Sequence, residues 1–269
     1  MKTILEEYKR SKGLVLLLTG AGISSESGIP TYRGTDGYWT KGSENFLPMQ
    51  LATREMFVRE PWVVWAWYLH RRTFCNEAEP NKGHYAAHRL EELPEFHLIT
   101  QNIDNLHFKA GSSKDKVYEI HGNINLCRCF NECSNKVYPI PEQIGRHTKD
   151  MDVGSEEKEL LTCPLCGSIL RPHILWFDEC YDEKFYYYSS SLNLASRASI
   201  LISVGTTGQT NLPIQVLVQV IRHGGKVIDI NPDENPFREA AIRLGGAYFP
   251  MKSGDILGEL AEELLGAIR

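Results

Sequence analysis

The residues best suited to chemistry fall in a few short blocks. The first is Gly20-Ala21-Gly22-Ile23-Ser24-Ser25-Glu26-Ser27-Gly28-Ile29-Pro30, directly after an apolar run. Glycines let a backbone approach a diphosphate closely, and a helix opening behind them would aim its N–H groups at the phosphates. Ser25 stands where G-x-G-x-x-G has its third glycine, and no convincing acidic residue follows about twenty positions on to hold a ribose in the usual Rossmann manner. A standard hydride-transfer dehydrogenase is therefore disfavoured. The second block is cysteines: Cys127, Cys129 and Cys133, then the pair Cys163 and Cys166, with Cys75 and Cys180 standing apart. Two pairs across a loop can wrap one tetrahedral zinc, and a site closed by four thiolates leaves no position for water, so the metal would be structural. Five clustered cysteines for four places leave one spare. The third block is Tyr68 and Arg71 within Trp62-Val63-Val64-Trp65-Ala66-Trp67-Tyr68-Leu69-His70-Arg71-Arg72. Three apart, the two share a helix face, and arginine offers a carboxylate a bidentate fork that a tyrosine hydroxyl can supplement.

These residues need a frame. Four short apolar runs each end in small or polar residues: 14–19 runs into Gly20, 96–100 into Gln101, 200–205 into Thr206, and 226–231 into Pro232. Continuous apolar runs without alternation indicate strands buried on both faces, as in a parallel sheet. Helix-like stretches at 213–223 and 253–268 complete the rhythm of an α/β protein with a doubly wound, Rossmann-like parallel sheet. Ligands of such sheets bind at the carboxyl ends of the strands, so the four polar loops are expected to build one composite nucleotide-type site. Two segments break the rhythm: 38–79, rich in aromatics, with Pro61 opening a helix, and 122–171, with the cysteines. The expected division is a nucleotide-binding domain of 1–36, 82–121 and 172–269, and a smaller domain made of a helical insertion (37–81) and a zinc-binding module (122–171).

Composition removes other classes. Hydrophobic residues make up 42% of the 269, enough for a sizeable core and too many for a disordered chain. Lys and Arg total 29 against 34 Asp and Glu, a formal charge of -5, which disfavours nucleic-acid binding by bulk charge. The longest apolar runs are strand-sized, so no membrane span is expected. The N-terminus carries acids where a signal peptide needs an apolar stretch, so a cytoplasmic location is expected, with the protein a monomer.

Taken together, the block from Gly20 to Gly34, then Gln101-Asn102-Ile103-Asp104, then His121-Gly122-Asn123, then the paired cysteines, resemble the sirtuins, NAD-dependent protein lysine deacylases. The order and spacing agree from about Gly13 to the C-terminus. The resemblance implies a reaction that breaks the nicotinamide–ribose bond of NAD+, with the acyl oxygen of the substrate lysine attacking the ribose carbon. It yields nicotinamide and O-acyl-ADP-ribose. His121 matches the catalytic histidine, a residue whose pKa near neutrality suits a base for a ribose hydroxyl. Gln101, Asn102, Ile103 and Asp104 match the set that holds the nicotinamide ribose and carboxamide. Gly20, Ala21, Gly22 and Ser24 match the phosphate turn, and Arg33 the mobile cofactor loop. Gly205, Thr206, Thr207 and Asn231 match the adenosine side, with Ser253 nearer the adenine. In the family the first zinc ligand falls about eight residues after the histidine, which selects Cys129, Cys133, Cys163 and Cys166 for one structural Zn2+; Cys127 remains the alternative to Cys129.

Tyr68 and Arg71 match the pair that marks the sirtuin class preferring succinyl, malonyl or glutaryl lysine, many members of which also remove acetyl groups. The simpler reading of the pair is a core tyrosine beside a solvated arginine. Trp176, Phe177 and Glu179 match the substrate-peptide edge, usually Trp-Phe-Gly-Glu, with Asp178 in the glycine's place. The opposite edge departs too: Gly205-Thr206-Thr207 leads into Gly208-Gln209-Thr210-Asn211-Leu212-Pro213. A substrate peptide would lie between these edges as an added strand, so the departures touch the peptide partner. Three rival readings remain: mono-ADP-ribosyl transfer, NAD hydrolysis, and a non-catalytic NAD-sensing module.

Overall fold

The computed structural model describes residues 1–30 and 48–268. Nine strands are present among them: β1 (Leu14–Thr19), β2 (Phe96–Thr100), β3 (Val117–Glu119), β4 (Gly122–Cys129), β5 (Val137–Pro139), β6 (Leu170–Ile174), β7 (Ala198–Val204), β8 (Lys226–Ile230) and β9 (Ala247–Phe249). Six form a parallel sheet in the order β3-β2-β1-β7-β8-β9. Leu17 of β1 sits opposite Leu98 on one side and Ile202 on the other. The strand order reverses direction between β1 and β7, and the crevice at such a switch point is where doubly wound sheets bind ligands.

All six residues of β1 are buried, because helices cover both faces. Val15 and Leu17 face helices Lys2–Ser11, Lys82–Arg89 and Ser253–Ile268, through Ile4, Tyr8, Ala86, Leu257 and Leu264. Leu14, Leu16 and Leu18 face helices Tyr188–Arg197, Asn211–Arg222 and Pro236–Arg243, through Leu194, Val216, Leu217 and Phe237. An apolar run without alternation is what a strand needs when successive side chains enter two different cores.

A third core holds helix Pro61–Glu77 against an antiparallel sheet ordered β5-β4-β6. Pro61 sits in the first turn, where a missing N–H costs nothing. Trp65 is fully buried, and its indole N–H donates to the Leu170 carbonyl at 2.8 Å. The boundary expected between 171 and 172 falls inside β6, whose Arg171, Pro172 and His173 do not read as a strand yet are all buried. After β1 the helix that opens on the glycines is a 3-10 helix, Ala21–Ser27. Ser25 Oγ donates back to the Gly22 carbonyl at 2.8 Å, a local bond that competes with α-helical pairing. Gly28, at φ +79°, ends the turn.

Candidate active site

The loops after β1, β2, β7 and β8 meet at the switch point. Gly20 N donates to the Val204 carbonyl and Gly22 N to the Gly205 carbonyl, both at 2.9 Å. A Cβ on Gly22 would lie 2.5 Å from the Gly205 Cα, and one on Gly205 would lie 2.6 Å from the Gly22 carbonyl carbon, so neither position tolerates a side chain. Both glycines are thus required by the close approach of two loop backbones, whatever lies above them.

Gln101 joins three of these loops. Its side-chain amide donates to Thr206 Oγ1 at 2.8 Å and to the Thr19 carbonyl at 3.3 Å, and its Oε1 accepts from Thr210 Oγ1 at 3.0 Å. Asn231 Nδ2 donates to the Thr206 carbonyl at 2.9 Å, bringing in the end of β8. Thr207, next along, is exposed.

Asn102 and Asp104 are buried and locked together through Ser24. Asn102 Nδ2 donates to Ser24 Oγ at 3.0 Å and to the Gly20 carbonyl at 3.2 Å, while Ser24 Oγ donates to Asp104 Oδ2 at 2.7 Å. His84 Nδ1 accepts from Asn81 N, so its Nε2 carries the proton and faces Ser24 Oγ at 3.3 Å. Leu106 N donates to the other carboxylate oxygen of Asp104 at 2.9 Å. Burial raises the Asp104 carboxyl above its ordinary value, against the pull of the bonds from Leu106 and Ser24 and of the Arg71 charge.

His121 lies between the end of β3 and β4. Its Nδ1 is 2.9 Å from the Gln101 carbonyl, which can only accept, so Nδ1 holds the ring proton and Nε2 presents its lone pair. Burial pushes the imidazole down to about 4, against a smaller upward pull from that carbonyl, so the ring is neutral at pH 7. A neutral histidine with a free lone pair can act as a base. Nε2 is met at 2.7 Å by the hydroxyl of Tyr181.

Tyr68 and Arg71 lie on one face of helix Pro61–Glu77, and both are buried, at 2% and 6% exposure, so Arg71 is not a solvated neighbour of Arg72. The Trp176 indole donates to the Tyr68 hydroxyl at 3.1 Å, and the Arg71 guanidinium stacks over Trp67 at 4.8 Å. Arg72 points elsewhere, donating to Asn125 Oδ1 and the Ile144 carbonyl.

The peptide-edge block divides by role. Phe177 is 56% exposed, with its N–H donating to the Ala52 carbonyl. Asp178 accepts from Arg54 N at 2.7 Å and Glu55 N at 3.0 Å, capping helix Arg54–Arg59 beside its N-cap, Thr53. The Glu179 carboxylate forks onto the buried Arg171 guanidinium and also accepts from Trp176 N at 3.1 Å. Ser253 is tied through Oγ to Glu26, which also accepts from Gly254 N at 3.0 Å, at the start of the C-terminal helix. Arg33 lies outside the described residues.

Four sulfurs, those of Cys129, Cys133, Cys163 and Cys166, lie within 4.8 Å of one another. Cys129 and Cys166 are 3.5 Å apart, and Cys133 and Cys163 3.6 Å. Tetrahedral zinc with Zn–S bonds of about 2.3 Å needs sulfurs about 3.8 Å apart, so the donor set fits one zinc ion. Cys127 is excluded, because its Sγ points to the Pro139 carbonyl.

Tyr181, Thr210 and His84 belong to this constellation and carried no motif signal. Tyr181 and Thr210 sit in or beside the two segments that depart from the sirtuin pattern, the one hint available.

Residues 20–211 match the model of the Sir2 family. An NAD-dependent protein deacylase of Leptospira interrogans serovar Lai is 35% identical over 98% of both chains. One of Aquifex aeolicus is 40% identical over 84% of this chain and 87% of its own. Among solved structures, a Sir2 homologue in complex with NAD superposes with a TM-score of 0.81 at 32% identity, covering 100% of this chain and 95% of that one. A Sir2 variant with deacetylated p53 peptide and 3'-O-acetyl ADP-ribose superposes at 0.72 with 28% identity, over 100% and 99%. By its fold, its constellation of residues and these relationships, the chain belongs to the Sir2 family.

Proposed function

We propose that this protein removes acyl groups from protein lysines at the expense of NAD+, and that succinyl and malonyl groups, with glutaryl and acetyl as further substrates, are what it removes. NAD-dependent deacylation is the named activity of the relatives from Leptospira and Aquifex, and acylated lysine in a protein or peptide is the corresponding substrate. The observation that carries the acyl preference is the buried pair Tyr68 and Arg71, on one helix face and braced by Trp176 and Trp67. A buried guanidinium gains much by pairing with a carboxylate, so an acyl chain ending in one fits where a methyl group gains nothing comparable.

The loops carrying Gly20, Ala21, Gly22, Ser24, Gln101, Ile103, Gly205, Thr206, Thr207 and Asn231 would hold NAD+, with Arg33 and Ser253 at its margins. NAD+ supplies a ribose whose bond to nicotinamide is the one broken. Asn102 and Asp104, fixed through Ser24, would orient that ribose. His121 would take a proton from a ribose hydroxyl on Nε2 while Gln101 holds Nδ1–H. Trp176 and Phe177, with Glu179 bracing them through Arg171, would form the peptide edge. The zinc would hold together the ends of β4 and the Cys163–Cys166 turn, at a distance from the chemistry. The larger domain (1–36, 82–121, 172–269) and the smaller one (37–81, 122–171) would enclose the acylated lysine between them.

The test is turnover of matched succinyl-lysine and acetyl-lysine peptides. Succinyl turnover should exceed acetyl turnover, and Arg71→Met should erase that preference while leaving acetyl turnover within a few-fold. A wild-type protein that prefers acetyl, with Arg71→Met unchanged, would leave the acyl assignment without support.

A further inference from the structure

Residues in or beside the two segments that depart from the sirtuin pattern bond His121 and Gln101. Tyr181 lies two residues beyond Glu179, and Thr210 lies in the loop after β7. The Tyr181 hydroxyl donates to His121 Nε2 at 2.7 Å. Thr210 donates its hydroxyl to Gln101 Oε1 at 3.0 Å. The Gln101 carbonyl holds His121 Nδ1–H at 2.9 Å.

An imidazole Nε2 has one lone pair. While Tyr181 donates to it, no substrate hydroxyl can bond it directly. A phenol oxygen, however, accepts while it donates. We propose that Tyr181 is a proton-relay residue, which receives the proton of the substrate ribose hydroxyl on its oxygen as it passes its own to His121. The substrate O–H bond breaks and its electron pair stays on the substrate oxygen. A new O–H bond forms on Tyr181 as its old one breaks, so the phenol begins and ends neutral. The proton arrives on Nε2, and the imidazolium retains Nδ1–H on the Gln101 carbonyl. No oxidant or reductant takes part. Thr210, which donates to the Gln101 side chain, acts as a positioning residue by steadying the residue whose carbonyl holds His121 Nδ1–H.

This inference rests on His121 being the base, and the experiment separates the two. Tyr181→Phe removes one oxygen and keeps the ring. Its kcat for deacylation should fall about 100-fold, the lower range for a positioned proton-transfer group, with KM for NAD+ and for acyl peptide within about two-fold of the wild type, since ground-state binding is untouched. Nicotinamide release in the first turnover should persist. His121→Ala, run alongside, should be as slow or slower. Replacement of Tyr181 by a fluorotyrosine, which keeps the hydroxyl and lowers its pKa, should shift the pH profile of kcat; it also answers the question if Tyr181→Phe fails to fold. Tyr181→Phe at or above the wild-type rate, or a fluorotyrosine protein with the wild-type pH profile, overturns the relay. If His121→Ala also turns over normally, the base assignment falls with it; if His121→Ala is inactive, only the relay falls.

Discussion

At the scale of single residues, charge and hydrogen bonding decide what each group can do. His121 is held neutral by burial, its pKa pushed down to about 4. A base works while unprotonated, so the His121-dependent acidic limb of kcat/KM should lie near pH 4, well below the ordinary histidine value of about 6.5. A limb near 6.5 in the pH profile would contradict that environment. Asp178, where the sirtuin pattern has glycine, accepts through both its oxygens from the N–H groups of Arg54 and Glu55. Asp178→Gly, which restores the family residue, should cost about 1 kcal/mol in denaturant unfolding, the ordinary value of a helix cap. It should leave the succinyl-to-acetyl ratio unaltered. Residue types were legible in advance where a motif repeats them, as at Gln101 to Asp104. The bonds that lock Asn102 to Asp104 through Ser24 join residues some eighty positions apart, and no local pattern encodes such a distance.

At the scale of elements, sequence periodicity located the parallel strands well and the zinc module poorly. The apolar runs of β1, β2, β7 and β8 advertise themselves because both faces of those strands are buried. β4 and β6 hide theirs, since buried Arg128, Arg171 and His173 interrupt the apolar pattern, Arg128 pairing with Glu132, Arg171 with Glu179 and His173 stacking on Tyr186. Arg171 is one such case: it stacks 3.5 Å over Trp176, donates to the Ile174 carbonyl and forks onto Glu179. Removing one member of a buried ion pair leaves an uncompensated charge, so Glu179→Gln should destabilise by about 3 kcal/mol. Calorimetry would read this, and a change below about 1 kcal/mol would show that the pair is solvated. The cysteines make a sharper case. The residues alone left Cys127 as an alternative to Cys129, which the resemblance favoured; the fold decides between them by turning Cys127 to the Pro139 carbonyl. Cys129→Ser should lose zinc and stability, whereas Cys127→Ser should retain about one zinc per chain by metal analysis.

At the scale of the whole molecule, one switch point between β1 and β7 collects residues from four loops, and helix Pro61–Glu77 brings Tyr68 and Arg71 from a separate core. The charge of Arg71 acts on Asp104, which links that core to the candidate ribose site. The doubly wound sheet was legible because order and burial follow from simple strand rules. That four polar loops build one composite site was legible from the strand pattern, and its chemistry from the resemblance to a family, whereas the bonds from Tyr181 to His121 and from Thr210 to Gln101 exist only once the chain is folded. The central claim is that nicotinamide release is coupled to deacylation. The direct measurement is the ratio of nicotinamide released to free lysine formed on a succinyl-lysine peptide, with the acyl-bearing product identified by mass. One nicotinamide per lysine is expected, with no appreciable release without the peptide and the succinyl group on ADP-ribose. Nicotinamide released at the same rate with and without acyl peptide would contradict it, and would make the protein an NAD hydrolase or an ADP-ribosyl transferase.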